Sequence, residues 1–127
     1  MATSTIQNST GMIPTSRVSV ELANSNVMSI VGGGVELFQL DDKNFLAFIS
    51  LGIKYTSARS ADMAAWKLQL DGTDLTRHNP YFISCRLDGT TTNLYSYSVN
   101  NLPYFDNPVA VSANQTLRWT GVVLYQK

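Results

Sequence analysis

The chain has little of what covalent or metal-centred chemistry relies on. Its single cysteine, Cys85, excludes an internal disulfide, so the fold does not depend on oxidation. Its single histidine, His78, cannot supply the clustered imidazoles of a zinc or cupin-type centre. No apolar run reaches the length of a membrane-crossing helix, and MATSTIQNSTG has neither the basic start nor the apolar core of a signal peptide. No membrane partner is expected. Charge is also scarce: charged residues make up 14% of the chain against roughly 25% in ordinary soluble domains. Nine acidic and nine basic residues are scattered without runs. Nucleic acid is therefore not expected as a partner, because phosphate neutralisation needs a basic patch or stripe.

Serine, threonine, asparagine and glutamine take the place of charge. Such a surface suits a protein packed against other protein. At 127 residues the chain has the length of one domain with a real core.

Strand signals dominate. Val18, Val20 and Leu22 alternate with polar neighbours in RVSVELA. In VMSIVGGGVELFQL three glycines interrupt a strand pattern, which points to a bulge or bend. NFLAFISLGIKY carries apolar residues at every odd position from Phe45 to Tyr55, while Leu46 and Phe48 make its first half apolar on both faces. Further alternation marks WKLQL, YFISCRL, NLYSYSV, PVAVSA and TLRWTGVVLYQ. The pattern predicts eight strands near 17–23, 27–40, 44–56, 63–70, 80–87, 93–99, 108–113 and 116–125. One helical turn is expected near 61–65, capped by Ser60. The expected architecture is all-β: a single antiparallel β-sandwich, an eight-stranded jelly roll, spanning 17–127. Residues 1–16, MATSTIQNSTGMIPTS, form an extended N-terminal arm. Alone, so polar an arm frays, and it needs a partner to order it.

Each possible catalytic arrangement has a simpler explanation. LDGT occurs at Leu70–Thr73 and again at Leu87–Thr90, flanking His78 and Cys85. Asp-Gly after an alternating run is turn chemistry, because both residues tolerate positive φ. A calcium site from Asp71, Asp74 and Asp88 is the less favoured reading. Cys85, His78 and an aspartate can be drawn as a triad, but no nucleophile elbow or similar local motif accompanies them. The strand residues Glu21 and Glu36 are explained by outward positions rather than by glycoside hydrolysis. Gly32–Gly34 lacks the Lys-Ser/Thr of a phosphate loop. No catalytic residue, metal or cofactor is expected. Aromatics concentrate in one stretch: Tyr81, Tyr95, Tyr97, Tyr104 and Phe105 are candidates for an interface or a carbohydrate-binding surface.

In size, strand count, polar arm MATSTIQNSTGMIPTS and closing strand TLRWTGVVLYQK, the chain resembles the small jelly-roll decoration, or cement, proteins of tailed-phage heads. The resemblance implies a non-enzymatic virion protein, made in the host cytoplasm and placed on the capsid surface. It implies that such a protein bridges subunits of the major capsid protein and self-associates as a dimer or trimer. The arm is then the tether, with Ile6, Met12, Ile13 and Pro14 as its partner-binding residues. A ligand-binding module of a phage fibre or tail, carrying the aromatics as its carbohydrate or receptor surface, is the alternative. A small shell-forming capsid subunit is a second.

Overall fold

A computed structural model of the chain describes residues 11–22, 25–63, 66–77, 82–88, 93–99 and 102–127. The chain is all-β, built from antiparallel strands. They are β1 (Gly11–Met12), β2 (Val18–Leu22), β3 (Met28–Gln39), β4 (Asn44–Tyr55), β5 (Arg59–Met63), β6 (Trp66–Leu70), β7 (Thr73–Asp74), β8 (Thr76–Arg77), β9 (Phe82–Leu87), β10 (Asn93–Val99), β11 (Leu102–Val111) and β12 (Gln115–Gln126). A single 3₁₀ turn, Thr15–Arg17, lies between β1 and β2. The larger sheet runs β1-β3-β4-β12-β9-β10-β11-β5, with β8 also paired to β12, and the smaller sheet is β2-β6-β7. In the larger sheet β9, β10 and β11 form a meander. β12 then returns beside β9, giving the 4-1-2-3 order of a Greek key.

Alternation explains how the sheets pack. The odd residues of β4 from Phe45 to Tyr55 are buried, as are Leu117, Trp119, Val123 and Tyr125 of β12. Against this face the smaller sheet sets Trp66, Leu68 and Leu70, with Val18, Val20 and Leu22 half-buried beside them. Trp66 and Trp119 meet edge to face, with ring centroids 6.0 Å apart and planes at 72°. One core shared by two antiparallel sheets makes the fold sandwich-like, and each large side chain removed from water contributes roughly 1.5–3 kcal/mol.

The glycine run of β3 has a structural task. Met28 and Ile30 pair with Tyr55 and Ile53, whereas Val35 and Leu37 pair with Ile49 and Ala47. The inward residues are even before the glycines and odd after them, because the register shifts by one between Ile30 and Gly32. That bulge lets both halves of β3 turn their apolar residues toward one uninterrupted β4. Gly33 sits at φ 66°, and a β-carbon there would collide with the Ser50 carbonyl.

Several elements differ from the sequence reading. The expected helical turn at 61–65 is not formed at 61–63, because Arg59–Met63 is strand β5, paired with β11. So short a segment gains more from ladder hydrogen bonds than from one helical turn. Strand β11 starts at Leu102, well before the expected 108. Its pairing with β5 is interrupted between Tyr104 and Val109, where Pro108, which has no N–H, can be accommodated. Between the expected strands 63–70 and 80–87, Thr73–Asp74 and Thr76–Arg77 form the short strands β7 and β8.

Candidate interaction surface

Cross-strand register assembles a face that no single strand reveals. Even residues of β4 and β12 point away from the core, and after its bulge β3 does the same. Met12 pairs with Phe38, Phe38 with Leu46, and Leu46 with Leu124, making one row across four strands. The adjacent row is Glu36, Phe48 and Val122. Phe38, Leu46 and Leu124 are half-buried. Met12, Phe48 and Val122 remain 53%, 42% and 57% exposed. Of these rows, only Glu36 is ionisable. Continuous apolar patches of this kind on a soluble domain mark contact surfaces.

The opposite end of the same face is polar. Gly34–Ser50–Thr120 is followed by Gly32–Gly52–Arg118, with Arg118 Nε donating to Asp88 Oδ1 at 2.8 Å. The outer surface of the smaller sheet is a polar ladder. Gln69 Nε2 donates to Glu21 Oε2 at 2.6 Å and to Asp74 Oδ1 at 2.7 Å, while Lys67 Nζ reaches Asp74 Oδ2 at 2.9 Å.

The root of the arm lies on the rim of the apolar rows. Gly11 and Met12 pair with Gln39 and Phe38, and the Ile13 N–H donates to the Leu37 carbonyl at 2.8 Å. Ile13 is buried in the chain's own core, so here it fastens the arm to its own domain. Pro14, lacking an N–H, ends the pairing and leads into the 3₁₀ turn. Arg17 closes this strap: its guanidinium grips Asp71 bidentately at 2.9 and 2.7 Å, and its carbonyl accepts from the Asp71 N–H. The expected arm of residues 1–16 is thus docked on the sandwich from residue 11 onward. Ile6 and the rest of residues 1–10 lie outside the described residues.

An open cleft of about 810 Å³ lies along the edge of β3 beside the strap and β2, and its lining extends to Phe48, Gly121 and Val122 of β4 and β12. Val18, Val20, Ile30 and Val35 line it, with Ile49 and Leu51 beneath. Glu36 is its one ionisable lining residue among those described.

The aspartates proposed for calcium are each engaged by a different partner. Asp71 binds Arg17, Asp74 binds Lys67 and Gln69, and Asp88 binds Arg118. Hydrogen bonding from Arg17 holds Asp71 below the usual carboxylate range, and bonding from Gln69 and then Lys67 does the same for Asp74. At the β3–β4 turn Asp41 is likewise lowered, chiefly by the Lys43 backbone N–H and the Asn44 side chain. Among the described residues no group of three metal-ligating side chains gathers. Cys85 is buried opposite Trp119, and burial pushes its thiol up to about 12. A thiol so placed is a core side chain rather than a nucleophile. His78 and Tyr81 lie outside the described residues. Tyr97 pairs with Phe82 on one side and Tyr104 on the other, Tyr95 pairs with Ser84, and Phe105 pairs with Ser96.

The first LDGT is a two-residue hairpin. Leu70 pairs with Thr73, and Asp71 and Gly72 take φ 51° and 80°, the signs of a type I′ turn. Of the second copy, Leu87 and Asp88 are described, closing β9. The apolar outer rows were not predicted as a site. Their one sequence signal was the two-sided apolar stretch NFLAF, and their assembly depends on which strands become neighbours.

Comparison of the chain with protein-family models, with curated proteins and with solved structures finds no match. Function must be read from the surface itself.

Proposed function

We propose that this chain is a non-enzymatic structural protein of a virion. In this reading it decorates and stabilises a phage capsid by bridging neighbouring subunits of the major capsid protein. It sits on the capsid surface as a dimer or trimer, with the N-terminal arm as tether. The observation that carries the reading is the apolar half of the outer sheet face, with the arm rooted at its rim beside Met12. An apolar sheet face next to an uncharged arm suits lasting contact with protein, and many weak contacts add up on a particle of many copies. The cleft, with Glu36 as its one described ionisable residue, lacks an acid–base pair, and the Cys85 thiol is held in the core. The eight-stranded jelly roll is part of the same proposal. The Greek-key order of β12, β9, β10 and β11 supports it, and the second Greek key that a jelly roll requires is not among the described pairings.

The test is co-sedimentation of the purified chain with shells assembled from a tailed-phage major capsid protein. The unaltered chain is expected to sediment with the shells. A deletion of residues 2–10 and the double substitution Phe48→Glu, Val122→Glu should each weaken binding by about tenfold or more. Ile13 is kept in the deletion because it belongs to the core. No sedimentation by the unaltered chain, or undiminished binding by both variants, would sink the reading. Glycan binding that is lost when Tyr95, Tyr97, Tyr104 and Phe105 are replaced by alanine would instead support the fibre or tail module.

A further inference from the structure

We propose that the open edge of β3, Val31–Glu36, is paired in the assembled protein by residues 1–10 of a second copy of this chain. The inference rests on the reading of the arm as a tether and specifies what the arm binds.

The edge is a real vacancy in the described pairing. On the side away from β4, β3 pairs with Gly11 and Met12 at Gln39 and Phe38, and the Leu37 carbonyl accepts from Ile13. Pro14 then diverts the chain through the strap into β2, which belongs to the other sheet. From Glu36 back to Val31, no described strand pairs with that side of β3. Backbone groups alternate sides along a strand, so Val35 presents its N–H and carbonyl to the same edge as Leu37. Such a row of donors and acceptors is a template for an added strand. The cleft between this edge and β2 receives apolar side chains, and Ile30, which lines it, is 44% exposed.

Direction identifies the occupant. β1 runs antiparallel to β3 and begins at Gly11 opposite Gln39, the end of β3 remote from Val31–Glu36. To return, a chain's own arm would have to reverse around the stretch that its own Gly11 and Met12 already cover. The arm of a second copy meets no such obstacle. Length fits as well. Six residues of edge span about 20 Å, and ten extended residues span about 33 Å, which leaves the remainder to cross between copies. So does chemistry: MATSTIQNST holds no charged side chain, proline or glycine, and its threonines and Ile6 favour extended structure.

The experiment places cysteines at Ile6 and Val20 in the full chain carrying Cys85→Ala, followed by mild oxidation and non-reducing electrophoresis. Covalent dimers that require both new cysteines are expected. A link formed within one chain, or no link in a protein that still self-associates, overturns the proposal. A second measurement does not depend on the Cys85 substitution. The peptide MATSTIQNST, added to the chain lacking residues 2–10, should slow amide exchange at Val35 by about tenfold or more, and Ile30→Lys should abolish the effect. Unchanged exchange overturns it. The two readings fail separately. Loss of shell binding on deletion without cross-linking leaves the tether and removes the edge pairing, whereas cross-linking with shell binding unaffected by deletion does the reverse.

Discussion

Gly33 and Gly34 are adjacent and not equivalent. A methyl group on Gly33 would meet the Ser50 carbonyl at a positive φ, whereas one on Gly34 meets nothing within 4 Å. Gly33→Ala should therefore destabilise the fold by more than about 2 kcal/mol, while Gly34→Ala should stay within roughly 1 kcal/mol of the unaltered chain. Urea unfolding of the two variants checks this, and equal losses would refute it. At this scale the sequence was readable where one residue's conformational preference decides the outcome. The Asp71-Gly72 turn follows from two residues that tolerate positive φ, and the structure has both there. Which glycine of three would be indispensable could not be read, because the obstacle is a carbonyl on another strand.

Among the elements, the strap from Ile13 to Arg17 has a strength that varies with acidity. Asp71 has a lowered pKa in the folded chain because Arg17 bonds its carboxylate. Between the folded value and the ordinary carboxylate value near 4, the unfolded state binds more protons, so stability rises with pH through that window and falls as pH drops through it. Asp41 and Asp74 act in the same direction. Asp71→Asn keeps a residue that accepts positive φ but gives up the charge. Its unfolding midpoint in urea should therefore decline less between pH 6 and pH 3 than that of the unaltered chain. An equal decline would show that the pair does not couple to folding. Strand positions were legible wherever apolar residues alternate, and β4 and β12 lie close to their predicted bounds. The misread segments are those without such alternation: β1, β5, β7, β8 and the first half of β11 exist because a neighbouring strand offers hydrogen bonds, which local composition does not reveal.

For the whole molecule, Cys85 is a built-in reporter of global opening. It is fully buried and burial raises its thiol to about 12, so iodoacetamide at pH 8 should modify it only through unfolding. Labelling followed by mass spectrometry should give a rate that climbs with urea in step with the loss of tertiary structure. Prompt labelling of the native chain would contradict the described core. The outer apolar face is a whole-molecule property in the same sense. Residues from β1, β3, β4 and β12, from Met12 to Leu124, become one surface only when β12 pairs beside β4. Sequence alternation showed that Phe48 faces away from its strand's core residues but not that Val122 would be its neighbour. The bulge in β3 places a further condition on the molecule. Because one extra residue sets which side chains on either flank face inward, the glycine segment is specified by its count as well as its composition. Loss of one glycine would leave Met28 and Ile30, and Val35 and Leu37, opposite the same β4 partners in an unbroken ladder, whereas loss of two would turn one of these flanks to the wrong side of the sheet. Substitutions in this segment and changes in its length therefore act differently: the first alters a contact, and the second alters whether the two flanks of β3 can meet β4 in phase.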